Sequence, residues 1–186
     1  AAGITIQGNT ISNYDIGLRV EDEAGSLTVS GNSFGDNGGT QVVNEDATNT
    51  VNASGNWWAS NDPTIVAGAM TGLVDFTPLL DSGTDTDGAT AGFQGDLSHL
   101  HVTSAGEQMG SMGRIQEAID LSVGSTIEVA AGTYNESLSI NKSLVILGAG
   151  SATTSVTGGV NLSGSFTGLT FDGLTLSGDA AGGVGR

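Results

Sequence analysis

A Gly-Asn pair recurs at Gly8-Asn9, Gly31-Asn32 and Gly55-Asn56, at spacings of 23 and 24 residues, each time inside the same short pattern. The three copies read Ile4-Thr5-Ile6-Gln7-Gly8-Asn9-Thr10-Ile11, Leu27-Thr28-Val29-Ser30-Gly31-Asn32-Ser33-Phe34 and Val51-Asn52-Ala53-Ser54-Gly55-Asn56-Trp57-Trp58. Each is an alternating strand, a turn and another apolar residue. Second short strands, Ile16-Gly17-Leu18-Arg19-Val20 and Thr40-Gln41-Val42-Val43, lie between the copies. A period near 23 residues carrying several strands of three to five residues is one coil of a parallel β-helix. Successive coils pair their strands along the axis and stack their inward side chains.

A sharp turn repeated in every coil needs residues that tolerate positive φ, and Gly and Asn both do. Asn9, Asn32 and Asn56 are therefore expected to stack in register as a turn ladder along the axis. The same style continues near the end of the chain, in Thr126-Ile127-Glu128-Val129, Leu138-Ser139-Ile140, Leu144-Val145-Ile146-Leu147 and Val160-Asn161-Leu162. It closes with Leu169-Thr170-Phe171-Asp172-Gly173-Leu174-Thr175-Leu176, in which Asp172-Gly173 occupies the turn position. The expectation is an all-β, right-handed parallel β-helix of about six coils with one short capping helix. At about 4.8 Å per strand spacing it is roughly 29 Å long. Ile4, Ile6, Ile11, Leu27, Val29, Phe34, Ile127, Val129, Leu144, Ile146, Leu169 and Phe171 are expected to face inward.

Residues 114–150 carry a resemblance. They read Arg114-Ile115-Gln116-Glu117-Ala118-Ile119-Asp120, then Thr126-Ile127-Glu128-Val129-Ala130-Ala131-Gly132-Thr133-Tyr134, then Leu138-Ser139-Ile140-Asn141-Lys142-Ser143-Leu144-Val145-Ile146-Leu147-Gly148. This stretch closely resembles the opening of right-handed parallel β-helix proteins of the pectate-lyase-like superfamily. There, an amphipathic helix caps the first coil. Ile115, Ala118, Ile119 and Leu121 form one helical face, suited to cover an open sheet end. Gly55-Asn56-Trp57-Trp58-Ala59-Ser60-Asn61-Asp62-Pro63, with Val74-Asp75-Phe76-Thr77-Pro78-Leu79-Leu80, looks like the closing coil of bacterial surface β-helix proteins. Trp57 and Trp58 are expected to plug the end of the core rather than to form a sugar-stacking platform. The resemblance implies an extracellular or cell-surface setting and admits polysaccharide as a ligand.

The closing elements precede the opening ones, so the order of the solenoid is permuted in the chain. Residues 1–80 read as a C-terminal-type half with its closing coil. Residues 81–96 read as a polar linker without a core pattern, and 97–186 as an N-terminal-type half with its cap helix. Counting through the termini, Gly173 and Gly8 stand 21 residues apart, close to one coil. The halves therefore read as adjacent parts of one solenoid. The assembly edges would be Ile4, Ile6 and Ile11 on one side and Leu169, Phe171, Leu174 and Leu176 on the other. These edges are satisfied either by fold-back, with 168–176 docked on 4–11 of the same chain, or by head-to-tail docking on a neighbouring subunit or repeat. The second is favoured, because the caps lie in mid-sequence and the open edges lie at the termini.

Charge and composition exclude much chemistry. The 186 residues hold 20 Asp+Glu against 4 Lys+Arg, a net charge of −16. Such a chain is repelled by nucleic acid and by anionic membranes, and no apolar run is long enough to insert. It has no cysteine, hence no disulfide, thiolate zinc site or thiol nucleophile. No basic segment leading into an apolar run opens the sequence, so an exported protein is expected here as a mature or excised piece. Glu21-Asp22-Glu23 reads as a solvated turn. The lyases and esterases of the resembled superfamily combine clustered or paired Asp with Arg or Lys. Arg19, Arg114, Lys142 and Arg186 are the only cations here, and none stands in such a motif. No catalytic residue, and no cofactor, is expected. Asp81, Asp85 and Asp87 are weak calcium candidates, with the loop pattern broken by Gly83. His99 and His101 alternate on a strand, so both can face one side with Asp96 as a third metal ligand; an ordinary exposed pair is the expectation. The function expected is structural: a module that builds, extends or displays by end-to-end completion, as in a filament, surface layer or adhesin stalk. The alternative is a polysaccharide-binding or polysaccharide-degrading β-helix.

Overall fold

The computed structural model describes residues 3–21, 26–124 and 126–178. Asp22 and Glu23 of the acidic turn, Ser125 and Arg186 lie outside them. The architecture is a β-solenoid of about seven turns, one more than expected, with parallel sheets and two short helices. The first coil holds β1 (Ile4–Gln7), β2 (Thr10–Ser12) and β3 (Ile16–Val20). The second holds β4 (Leu27–Ser30), β5 (Ser33–Gly35) and β6 (Thr40–Asn44). The third holds β7 (Val51–Asn52), α1 (Pro63–Gly68) and β8 (Met70–Thr71), and β9 (Val74–Asp75) with β10 (Leu79–Leu80) closes this half. The second half opens with β11 (His99–Val102) and α2 (Arg114–Leu121). Then come β12 (Thr126–Val129), β13 (Gly132–Tyr134) and β14 (Leu138–Ile140). They are followed by β15 (Val145–Gly148), β16 (Thr154–Thr157) and β17 (Val160–Leu162), and finally β18 (Thr170–Asp172) and β19 (Thr175–Ser177).

Stacking follows the repeats. Ile4 pairs with Leu27 and Ile6 with Val29, and Ile127, Ile146 and Phe171 line up through β12, β15 and β18. Gly8, Gly31 and Gly55 take φ of 69°, 61° and 74°, and Gly173 takes 67°, the left-handed conformation that a side chain disfavours. Asn56 Oδ1 accepts from the backbone N–H and the side-chain amide of Asn32 at 2.8 and 3.0 Å, and Asn32 Oδ1 accepts likewise from Asn9 at 2.9 and 3.0 Å. The Asn32 amide also donates to Ile6 O, so Asn32 ties its own coil to the coils on both sides, and the amide of Asn56 donates to Val29 O of the second coil.

Of the residues expected inside, Leu27, Val29, Phe34, Ile127, Val129, Leu144 and Ile146 are buried. Ile4 is 55% exposed, and Ile6, Ile11, Leu169 and Phe171 are half-buried. These five line the terminal coils, where no further coil covers them. The fold-back arrangement is not taken. Among the described residues β1 pairs with β4 alone, β18 with β15 and β19 with β16. The second half joins the closing strand of the first instead, β10 running antiparallel to β11 with Leu79 opposite His101 and Leu80 opposite Leu100.

That junction has a definite geometry. Successive residues of a strand face opposite sides. Leu79 packs in the first core with Trp58 and Phe76, and Leu80 packs in the second with Leu100 and Ile119. At this strand the solenoid interior changes side just as the strand direction reverses. A half-rotation about the stacking axis does both at once and leaves the winding sense unchanged, so the two halves share one hand.

Candidate functional site

Three places in the fold gather side chains beyond what the solenoid core needs: the two open ends and the junction. The open ends are apolar, and at the first of them the turn carbonyl of Gly8 is met by Phe93 N–H. Ile4 at one end, and Leu162 and Leu176 at the other, are 55%, 51% and 43% exposed. Leu174 and Leu169 are half-buried against the second core.

The mid-chain caps are closed. Trp58 is buried and stacks on Phe34 with ring centroids 4.5 Å apart, its Nε1–H directed at Phe76 O. Trp57 is half-buried and packs toward the second core, so adjacent tryptophans serve different cores. Trp58 offers no open ring face as a platform. Helix α2 buries Ile115, Ala118 and Ile119. Its first turn lacks a side-chain cap of its own. The carboxylate of Glu136 supplies one, accepting from Ile115 N–H at 3.1 Å and Gln116 N–H at 2.9 Å. Burial raises the pKa of Glu136 despite these bonds and the Arg114 charge nearby. The Tyr134 hydroxyl is pushed up to about 12 by burial and donates to Ala130 O.

The expected linker 81–96 is not a free tether. Phe93 is buried in the second core, and its N–H donates to Gly8 O at 2.8 Å, so the segment runs back along the Gly-Asn turns to the first coil. Phe93 is a single apolar residue in a polar stretch, so the sequence there shows no core pattern.

The junction carries the one mixed cluster of imidazoles and carboxylates among the described residues. His101 Nε2 lies 2.8 Å from Asp81 Oδ1, and His99 Nδ1 lies 3.8 Å from Asp81 Oδ2. The other ring nitrogens turn to Glu128: His99 Nε2 is 2.9 Å from Oε1 and His101 Nδ1 is 3.6 Å from Oε2. The rings stack at 5.0 Å and 18°. Asn61 donates to Asp81 Oδ1 at 2.8 Å. Partial burial pushes the Asp81 pKa up, but the hydrogen bonds from His101 and Asn61 outweigh it and hold the carboxyl below its ordinary value. The cluster faces an open cleft of about 530 Å³ between Asn61, Asp62 and Pro63 of the first half and Glu128, Ala130 and Leu147 of the second.

Several expected ligands are used elsewhere. Asp96 accepts from Ser98 N–H at 2.8 Å in a local turn and is not the third member of the histidine group. Asp85 accepts from Asp87 N–H and Gln94 N–H, and Asp87 closes the next turn on Ala89 and Thr90. Asp85 and Asp87 thus share one loop, and Asp81 stands apart from them at the histidines. Glu128 went unnoticed in the sequence, although aligning His99-Leu100-His101-Val102 with Thr126-Ile127-Glu128-Val129 as successive coils places it beside His101. The three described cations all meet structural partners. Arg19 pairs with Glu45, Arg114 donates to the carbonyls of Thr103, Ala105 and Gly106, and Lys142 donates to Ser122 O.

No family model matches the chain, and no curated protein or solved structure matches it.

Proposed function

We propose that this chain is a structural module of an extracellular or surface β-helix protein, resembling the pectate-lyase-like superfamily, which assembles head to tail by completing the solenoid between neighbouring subunits or repeats. The observation that carries this reading is the match between the two open ends. Leu169, Phe171, Gly173 and Leu176 stand in the same coil positions as Ile4, Ile6, Gly8 and Ile11. The turn glycines Gly173 and Gly8 share a left-handed backbone at φ 67° and 69°. An exposed strand edge with an apolar row behind it is a template for strand addition. A contact between two different ends of one molecule is heterologous and propagates. The positions of Arg114 and Lys142 favour the structural reading over sugar chemistry, since both charges are held by backbone carbonyls, and Arg19 is paired with Glu45 on the surface.

The test is hydrodynamic size against concentration, with electron microscopy of the concentrated sample. The wild-type chain is expected to form linear oligomers that lengthen with concentration, and Phe171→Lys to remain at 18.5 kDa. A wild-type chain that stays monomeric at high concentration overturns the proposal.

A further inference from the structure

We infer that Asp81, His99 and His101 form a binding site for one divalent transition-metal ion of the zinc type, with Glu128 orienting both imidazoles. The three candidate ligand atoms all lie within 4.8 Å of one another. Zinc bonds of about 2.0–2.1 Å in tetrahedral array set ligand atoms roughly 3.3–3.4 Å apart. The 2.8 and 3.8 Å separations from the Asp81 oxygens bracket that spacing. What distinguishes this group from a chance ion pair is its outer layer. A ligating histidine presents one nitrogen to the metal and donates its other N–H to a carboxylate or carbonyl. Here one carboxylate, Glu128, faces the far nitrogen of both rings, and Asn61 donates to the Asp81 oxygen that faces His101.

The donor set also selects the ion. Two imidazoles and a carboxylate suit zinc, copper or nickel, whereas calcium takes six to eight oxygens. Three protein ligands leave a fourth tetrahedral position for water or a donor from a partner. The site spans the junction: Asp81 follows the last strand of the first half, and both histidines lie on the first strand of the second. An ion held there binds the folded junction and not the unfolded chain, so it raises the melting temperature. Protons compete for the same nitrogens, so affinity falls as pH is lowered.

The experiment uses the full chain after chelator treatment, titrated with zinc at neutral pH by calorimetry and followed by thermal melting, with calcium in parallel. One zinc per chain is expected, with a rise in melting temperature that calcium does not give. Cobalt in place of zinc is expected to show the visible absorption of a tetrahedral site. His99→Gln/His101→Gln is expected to lose saturable uptake, and Glu128→Gln to weaken it about tenfold or more. If the double variant does not fold, Asp81→Asn, whose amide keeps the shape of the carboxylate, carries the same expectation of lost uptake. No saturable zinc uptake by the wild type, uptake unchanged in the folded ligand variants, or equal stabilisation by calcium would each overturn the site and leave the four residues as a polar cluster at the junction. These readouts are taken on monomer or oligomer alike, so they stand or fall apart from end-to-end assembly.

Discussion

At the scale of single residues, the asparagine ladder and a buried aspartate show opposite ways of placing a polar group in a solenoid. Asn32 and Asn56 are fully buried with every side-chain bond made along or across coils. Asp75 is 1% exposed, accepts from Met109 N–H at 2.6 Å through one oxygen, and leaves the other without a partner. Burial, reinforced by the Glu117 charge, raises its pKa to about 6, against the pull of Met109 N–H and Arg114. The folded state therefore holds this proton more tightly than the unfolded state, and the contribution of Asp75 is lost as pH rises through about 4 to 6. Asp75→Asn keeps an acceptor for Met109 and removes the charge. Relative to wild type it is expected to be neutral near pH 4 and more stable at pH 7 by about 1–2 kcal/mol, allowing for solvent screening. Thermal melts of both proteins at the two pH values check this, and an equal difference at both excludes the charge as cause. The ladder was legible because the turn requirement repeats it three times. Asp75 was not, because its burial comes from 103–109, a non-repeating segment that crosses the end of the first half.

Among the elements, the two helices were unequally visible. The apolar face of α2, Ile115, Ala118 and Ile119, stood out by its helical spacing, and it covers the second core. Helix α1 lies inside the expected closing coil, and Asp62-Pro63 is a good helix start: the Asp62 carboxylate accepts from Thr64 N–H at 2.8 Å and Pro63 fills the first turn. Six residues with one buried side chain, Val66, leave little periodicity to detect. Ile119→Asp places a charge on the buried face of α2 and is expected to cost a few kcal/mol. That is a large part of the stability of a domain this size. The check is chemical denaturation: a midpoint equal to wild type means that α2 is not a packed cap.

For the whole molecule, the solenoid and its coil count were legible from spacing alone, within about one turn. How the halves meet was not. Both halves advertise an apolar end, and nothing local to Leu79-Leu80 says that the strand direction reverses there. The pairing is decided by which exposed edges are near enough to meet, and 81–96, anchored by Phe93, holds the second half against the first. Assembly of a chain with net charge −16 is opposed by self-repulsion, so it is expected to strengthen as salt rises from low ionic strength. The two ends are separable: Ile6→Lys blocks one and Phe171→Lys the other. Each variant alone is expected to remain monomeric, while an equimolar mixture forms discrete dimers through the one intact end of each. Sedimentation of the mixture distinguishes this from a symmetric contact, in which mixing changes nothing.

The half-rotation at β10 and β11 has a consequence for any such polymer. Docking of one chain on the next continues a parallel solenoid and adds no turn, whereas every chain adds one half-rotation at its own middle. Consecutive chains are then related by a two-fold screw axis, although the chain itself has no symmetry. The filament repeats not every chain of about 34 Å but every second one, near 67 Å at about 4.8 Å per coil. Its image is a zigzag of laterally offset rods rather than a straight cylinder.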